Sequence, residues 1–280
     1  MSAGRHGRTL AIGVDAGGTW VRAMALEDGR PLRRVRVPAR RVPDLRSFVL
    51  GLGGGSRPAA LVVASKGIWT PGERARLRRR LRGLARRVVV IPDVEAALLG
   101  ALGDGPGLLI LSGTGSIVLG RDARGRWARA GGLGPLLGDE GSAFWLGRAW
   151  LRLAAQAGDP ASTLAGVRSP DAVRRVAALA PSVLRRARRG DRRARAIAAE
   201  AQEHLAAFAA DVSRRLGLDT PVDVSWAGSV MADDAFRRGV ARALARADLP
   251  ARWHPPAVEP VEAAARLAAK LACRGRGRER

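Results

Sequence analysis

The chain has 280 residues, 47% of them hydrophobic, so it can bury one large core or two smaller ones and is not a disordered or fibrous chain. Its formal net charge is +24, and its single cysteine, Cys273, excludes an internal disulfide and a cysteine-built metal site. No apolar stretch approaches the roughly 20 residues that span a bilayer, and no secretory pattern opens the sequence, so we expect a cytoplasmic protein without a membrane partner.

The N-terminal part of the chain reads as three strands followed by alternating helices and strands. Turn-forming Gly17-Gly18 and Asp28-Gly29 separate three runs of β-branched or apolar residues, which predicts a meander. Short apolar runs then alternate with segments of helical periodicity. The predicted strands are residues 9–14, 20–26, 32–37, 59–64 and 88–91, and the predicted helices are residues 45–52, 71–86 and 94–102.

The same order of elements restarts after the glycine-rich punctuation at residues 103–107. Three strands come first again, and helices dominate from residue 142 to residue 216. The predicted strands are residues 108–111, 116–121, 127–130, 222–226 and 251–253, and the last predicted helices are residues 233–246 and 261–271. This repeat predicts an α/β protein of two domains, residues 1–106 and 107–280, with a ligand cleft between them and a last helix that could pack back on the first domain.

The first motif that indicates chemistry is Gly13-Val14-Asp15-Ala16-Gly17-Gly18-Thr19, where the first strand turns into the second. Glycines let the backbone approach a phosphate because they carry no Cβ, and Thr19 adds a hydroxyl. Asp15 can hold the hydration shell of Mg²⁺. An ordinary Gly-Gly hairpin would explain the glycines equally well, so this motif alone leaves both interpretations open.

The second motif, Leu111-Ser112-Gly113-Thr114-Gly115-Ser116, repeats this design at the corresponding turn of the second half. Two such hairpins favour a nucleotide held by both domains, since a module with a single phosphate loop has no need of a second. A P-loop is excluded because neither lysine of the chain follows a glycine.

Five segments together resemble the N-acetylglucosamine kinase-like and BadF/BadG/BcrA/BcrD ATPase family of the actin/hexokinase-like superfamily. They are residues 13–19, 92–97, 112–116, 131–142 and 226–230, in the family's order and at similar spacings. The block Gly-Gly-x-Gly-x-x-x-Gly-Asp-Glu-Gly-Ser at residues 131–142 is the most specific of them. The resemblance implies two actin-like (ribonuclease H-like) domains with a nucleotide cleft between them. It also implies ATP- and Mg²⁺-dependent phosphorylation of a sugar or amino-sugar hydroxyl.

The resemblance gives each matching residue an expected role. The aspartate aligned with Asp93 is the general base on the sugar hydroxyl, although a helix N-cap would also suit its position. Asp15 would hold Mg²⁺ through water. The residues implied to contact ATP are Asp15, Gly17, Gly18, Thr19, Gly113, Thr114, Gly115, Ala187, Gly228 and Ser229. Those implied to bind the sugar are Asp93, Ser116, Gly132, Leu133, Gly134 and Asp139.

The acceptor pocket departs from the family pattern more than the phosphate motifs do. Family kinases usually place an asparagine after the third strand, and this chain contains none. The loop after the fourth strand, usually rich in glycine and alanine, reads Ser65-Lys66-Gly67-Ile68-Trp69. Leu133 stands where many members have tryptophan, and Pro92 replaces a common asparagine. The identity of the acceptor therefore stays open.

Other functions and partners follow from the same features. An activator ATPase of the superfamily needs cluster cysteines, and Cys273 is the only one. An ATP-sensing protein without kinase activity would keep the phosphate motifs, but the retention of Asp93 argues against it. A homodimer is compatible with the resemblance, because the helix that carries Trp145 and Trp150 neighbours a dimer contact in the family.

The arginine content raises the possibility of a nucleic-acid partner, because clustered guanidinium groups neutralise phosphates. The arginine runs at residues 78–80 and 185–189, however, lie in segments whose apolar residues recur at helical spacing. We therefore expect these charges on solvated helix faces and do not expect nucleic acid to be the main ligand.

Overall fold

The computed structural model describes residues 8–52, 56–158 and 167–276. These residues form two compact units, the first running to Gly103 and resuming at Val258, the second spanning Asp104–Ala257. Each unit is built around a five-stranded mixed sheet. The last segment of the chain thus joins the unit in which the chain began.

The sheet of the first unit places three parallel strand ends side by side. Its strands are β1 Leu10–Ala16, β2 Trp20–Glu27, β3 Arg30–Pro38, β4 Ala60–Ser65 and β5 Arg87–Pro92, in the order β3-β2-β1-β4-β5. The strands β1, β2 and β3 form the predicted antiparallel meander, and β4 pairs in parallel with both β1 and β5. Ala16 lies opposite Ser65, and Ser65 lies opposite Pro92, so the loops that follow these strands leave one edge of the sheet together.

The second unit repeats this topology. Its strands are β6 Gly107–Ser112, β7 Ser116–Arg121, β8 Trp127–Gly131, β9 Val222–Ala227 and β10 Ala251–Trp253, in the order β10-β9-β6-β7-β8. The strands β6, β7 and β8 form the second meander, and β9 pairs in parallel with β6 and β10. The predicted repetition of strand order is therefore confirmed as a repetition of sheet topology.

Helices flank both sheets. They are α1 Leu45–Leu50, α2 Pro71–Arg80, α3 Asp93–Leu102, α4 Ala143–Ala157, α5 Ala172–Ala177, α6 Ala180–Arg188, α7 Arg192–Leu216, α8 Asp234–Arg246 and α9 Pro260–Arg276. Side chains on β4 alternate between two clusters, Leu61 and Val63 in one and Val62 and Ala64 in the other, so both faces of this strand are covered. No helix in the described part of the chain is long and apolar enough to cross a membrane.

The helix α2 is shorter than predicted. It starts at a capping box between Thr70 and Glu73 and ends at Arg80, whereas the periodicity predicted a helix to residue 86. Leu81 and Leu84 are buried and Gly83 has φ +88°, so the chain turns into the core before β5 begins. The arginines at residues 78–80 are exposed, which confirms the predicted solvated face.

The last helix lies directly against the first sheet. It packs on β1, β4 and α3 through small side chains that include Ala264 and Ala268. A Cβ added to Gly13 would lie 2.1 Å from the backbone nitrogen of Ala265, so only glycine permits this approach. Gly13 therefore serves helix packing, although its motif was interpreted as a phosphate loop.

Candidate functional site

The first hairpin presents open backbone at the end of β1. The Gly17 N–H donates to the carbonyl of Trp20 at 3.1 Å, which closes the turn. Gly18 and Thr19 at its tip are exposed. A tight turn with exposed backbone and a hydroxyl is suited to a phosphate group, and phosphate binding at this turn stays a prediction.

Asp15 lies under this hairpin and is buried, with only 6% of its surface exposed. One carboxylate oxygen accepts a hydrogen bond from Arg22 at 3.0 Å. Burial raises the pKa of Asp15, and the carboxylates of Asp93 and Glu259 add to this rise, while the Arg22 guanidinium opposes it. A single carboxylate that already faces an arginine fits Mg²⁺ held through water and substrate phosphates better than a closed cage of protein ligands.

Arg22 is a site residue that the sequence analysis missed. It lies directly opposite Asp15 on β2, because the hairpin places Ala16 opposite Val21. The position of the Gly17-Gly18 turn sets this register, so counting outward from the turn would have identified the pair.

Asp93 begins α3 at the end of β5. Pro92 is the N-cap and Asp93 is the first residue of the helix, so Asp93 is not the N-cap itself, although its side chain satisfies one first-turn N–H. The Asp93 carboxylate accepts a hydrogen bond from the Val94 N–H at 2.9 Å. Burial raises the pKa of Asp93, while the Val94 N–H and the charge of Lys66 lower it. A half-buried carboxylate with a raised pKa suits a general base.

The start of α4 makes a backbone hydrogen bond to the second hairpin and fixes its position. The Gly113 N–H donates to the Gly115 carbonyl at 2.9 Å, and the Ala143 N–H donates to the Gly113 carbonyl at 2.8 Å. Ser142 caps α4 by accepting the Trp145 N–H at 3.1 Å. Thr114 is exposed at the tip, which leaves its hydroxyl available to a phosphate.

Asp139 and Ser116 support this hairpin from inside the second unit. Both are buried, and the Ser116 N–H donates to the Asp139 carboxylate at 3.4 Å. The Ser116 hydroxyl donates to the Glu140 carbonyl at 2.6 Å. A Cβ on Gly115 would lie 2.8 Å from an Asp139 oxygen, so glycine lets this carboxylate reach the hairpin. These contacts give both residues a structural role, and sugar binding by them stays a prediction.

The glycine-rich loop after β8 turns on residues with positive φ. Gly131, Gly132 and Gly134 have φ values of +72°, +71° and +82°, which glycine adopts without strain. A Cβ on Gly132 would lie 2.8 Å from the side chain of Ile117. Leu133 between them is 62% exposed. Its side chain is therefore available to a ligand, and its predicted role in sugar binding stays a prediction.

The turn after β9 packs against the second hairpin. Gly228 has φ +91°, and a Cβ there would lie 2.2 Å from the carbonyl oxygen of Ser112. The Val230 N–H donates to that carbonyl at 3.0 Å. Gly228 and Ser229 are exposed, so the structure places the predicted adenosine segment beside the predicted phosphate hairpin.

Ala187 lines a cavity of about 370 Å³ in the second unit. The same cavity is lined by Asp233 and Phe236, which follow the Gly228–Ser229 turn along the chain. Arg188 pairs with Asp233 across it. The structure thus brings Ala187 to a pocket near the start of α8, and its predicted contact with ATP stays a prediction.

Comparison with known proteins gives one family and one fold. Residues 92–268 match the BadF/BadG/BcrA/BcrD ATPase family. Over 68 residues the chain is 44% identical to an N-acetylmuramic acid/N-acetylglucosamine kinase of Clostridium acetobutylicum, a stretch that covers 24% of this chain and 22% of that kinase. The chain therefore matches only about a fifth of the length of this curated relative.

Two solved structures share the fold. A putative N-acetylglucosamine kinase of Chromobacterium violaceum superposes with a TM-score of 0.71 at 24% identity, covering 94% of this chain and 99% of that one. A ROK family glucokinase of Streptomyces griseus, solved with glucose and AMPPNP, has a TM-score of 0.56 at 20% identity, with coverages of 93% and 99%. The expected α/β class with two actin-like domains is confirmed. Since the family match extends over more than half of the sequence, the chain belongs to the BadF/BadG/BcrA/BcrD ATPase family.

Proposed function

We propose that this protein is an ATP- and Mg²⁺-dependent kinase that phosphorylates a hydroxyl of a sugar or amino sugar. The observation that carries this proposal is the placement of Asp93. Its half-buried carboxylate follows β5, two strands away from the Gly17–Gly18 hairpin at the same edge of the sheet. A carboxylate and a glycine-rich turn with exposed backbone therefore lie at one edge of the same sheet, which supports proton acceptance and phosphate binding by this unit.

The reaction follows from these groups. Asp93 accepts the proton of the acceptor hydroxyl as its oxygen attacks the γ-phosphorus of ATP, the bond to the β-phosphate oxygen breaks, and ADP leaves. Asp15 would hold Mg²⁺ through water, and the bound ion would neutralise phosphate charge. Each hairpin by itself offers backbone N–H groups and one exposed hydroxyl, that of Thr19 or that of Thr114, of a kind that suits phosphate oxygens.

The names of the relatives support an amino-sugar acceptor. The Clostridium protein is named a kinase of N-acetylmuramic acid and N-acetylglucosamine, and the Chromobacterium protein a putative N-acetylglucosamine kinase. This chain lacks the asparagine that family kinases usually place after the third strand, and Lys66 stands in a loop that is usually rich in glycine and alanine. At least some of the contacts that hold the acceptor therefore differ from those in family kinases. An ATPase or ATP sensor without sugar kinase activity is the second candidate, and these same departures favour it.

An acceptor screen tests the proposal. We expect one of glucosamine, N-acetylglucosamine, N-acetylmuramate and glucose to stimulate ADP release from ATP, and we expect EDTA to abolish that stimulation. ADP release without acceptor is the control in a coupled spectrophotometric assay. If ATP binds but no sugar stimulates ADP release, the kinase assignment gives way to an ATPase or a sensor.

The pH profile should carry the signature of the base. Asp93 must be ionised to accept a proton, and burial raises its pKa, so activity should fall as pH drops through that raised value. We expect the acid limb of the kcat/KM profile to lie above the ordinary aspartate range. An acid limb at the pH of an exposed aspartate would contradict this role.

A further inference from the structure

Lys66 is a rare lysine in a chain whose other basic residues are almost all arginines. Of the 49 lysines and arginines, only Lys66 and Lys270 are lysines. The two cations differ, because an ammonium is a compact point charge on a flexible stem, whereas a guanidinium is a broad planar fork. The Lys66 ammonium can therefore reach a small anionic group from a flexible stem.

The backbone fixes Lys66 beside the first hairpin. Lys66 follows β4, which pairs with β1 on one side and β5 on the other. Its N–H donates to the carbonyl of Ala16 at 3.3 Å. The loop that carries Lys66 thus leaves the sheet between the loop that carries Gly17 and the one that carries Asp93.

The Lys66 side chain extends over the first hairpin, and its charge acts on Asp93. Its Cδ atom lies 4.0 Å from the position that a Cβ on Gly18 would occupy, so its stem runs over the hairpin. Its charge also stabilises the ionised carboxylate of Asp93. Lys66 is exposed and makes no ion pair with the described acidic residues, so its ammonium is available to a ligand.

We propose that Lys66 is a catalytic residue whose ammonium contacts the γ-phosphoryl group of ATP as that group moves towards the acceptor. This inference rests on the proposed kinase function. The acceptor oxygen lies at Asp93 and the remaining phosphates at the hairpin, so the transferred phosphorus must lie between them. The developing charge is spread over its equatorial oxygens, where a nearby cation stabilises the transition state.

Nucleotide binding tests this inference without any acceptor. Calorimetric titration of Lys66→Ala with AMPPNP should show affinity reduced about tenfold, while ADP affinity stays within about twofold, because only AMPPNP carries the γ-phosphoryl group. Lys66→Arg should retain part of the difference. Lys270→Ala, which removes the other lysine from an exposed position on α9, is the matched control and should change neither affinity. Equal affinities of Lys66→Ala and wild type for AMPPNP would overturn the inference, even if the wild-type protein proves inactive on every sugar.

Kinetics give the second test if the wild-type protein is active. Lys66→Ala should lower kcat about thirtyfold for neutral and acidic sugars alike. Its acid limb should also move to higher pH, since the Lys66 charge no longer opposes the burial that raises the pKa of Asp93. A loss confined to an acidic sugar, seen as a higher KM, would assign Lys66 to the acceptor carboxylate and overturn the phosphoryl role.

Discussion

Replacing Asp93 with asparagine should reduce acceptor-dependent turnover at least about a hundredfold while ATP binding stays nearly unchanged. Asparagine keeps the shape of the side chain but has no carboxylate to accept the hydroxyl proton. Steady-state ADP release measures the first effect, and calorimetric titration with AMPPNP measures the second. Asp248→Asn, on an exposed turn of the second unit, is the matched control and should retain full activity. Unchanged turnover in Asp93→Asn would remove the base assignment.

The stability of this variant separates catalysis from folding. Asp93 accepts the Val94 N–H through a carboxylate oxygen, and the amide oxygen of asparagine can accept the same hydrogen bond, so this contact is kept. Because burial raises its pKa in the folded protein, the ionised carboxylate disfavours folding. The protonated carboxyl group of Asp93 stabilises the folded state below the ordinary aspartate pKa. This contribution is lost as pH rises through the raised pKa of Asp93 in the folded protein. At neutral pH we therefore expect Asp93→Asn to melt at the same temperature as the wild type or higher, and a marked drop would show that the activity loss reflects misfolding.

Replacing Gly13 with alanine should destabilise the first unit by about 3 kcal/mol. The new Cβ would lie 2.1 Å from the backbone nitrogen of Ala265 and 2.6 Å from the carbonyl carbon of Ala264. These are main-chain atoms of α9, so no side-chain rotation can relieve the overlap, and the helix must move off the sheet. Urea unfolding followed by circular dichroism measures the effect.

A second glycine in the same unit is the control for this change. Gly72 lies in the first turn of α2, and the nearest atom to an added Cβ would be the Thr70 hydroxyl oxygen at 3.9 Å. Gly72→Ala should therefore leave stability unchanged or raise it by up to about 1 kcal/mol. If Gly13→Ala were as stable as Gly72→Ala, α9 would not lie against β1 at this point.

Local patterns in the sequence were enough to predict most elements and both hairpins. Each hairpin depends on residues only a few positions apart, in the turns at Gly17–Gly18 and at residues 113–115 and in the apolar strands around them. Such local patterns can be recognised in the sequence alone. The strand Ala251–Trp253 was predicted with the observed bounds, and the catalytic candidate Asp93 lies at a strand end as expected. The helical periodicity of the sequence predicted that α2 ends later than it does. Periodicity alone could not show that Leu81 and Leu84 are buried in the core.

The sequence alone determined an α/β chain with a repeated order of elements, two glycine-rich hairpins and a carboxylate at a strand end. Only the tertiary structure decided which distant residues meet: Gly13 with Ala265, Asp139 with Gly115, and the loop of Lys66 between Gly17 and Asp93. The physical reason is that parallel pairing and helix docking join segments far apart in the chain. Their register depends on packing of whole surfaces rather than on any short pattern.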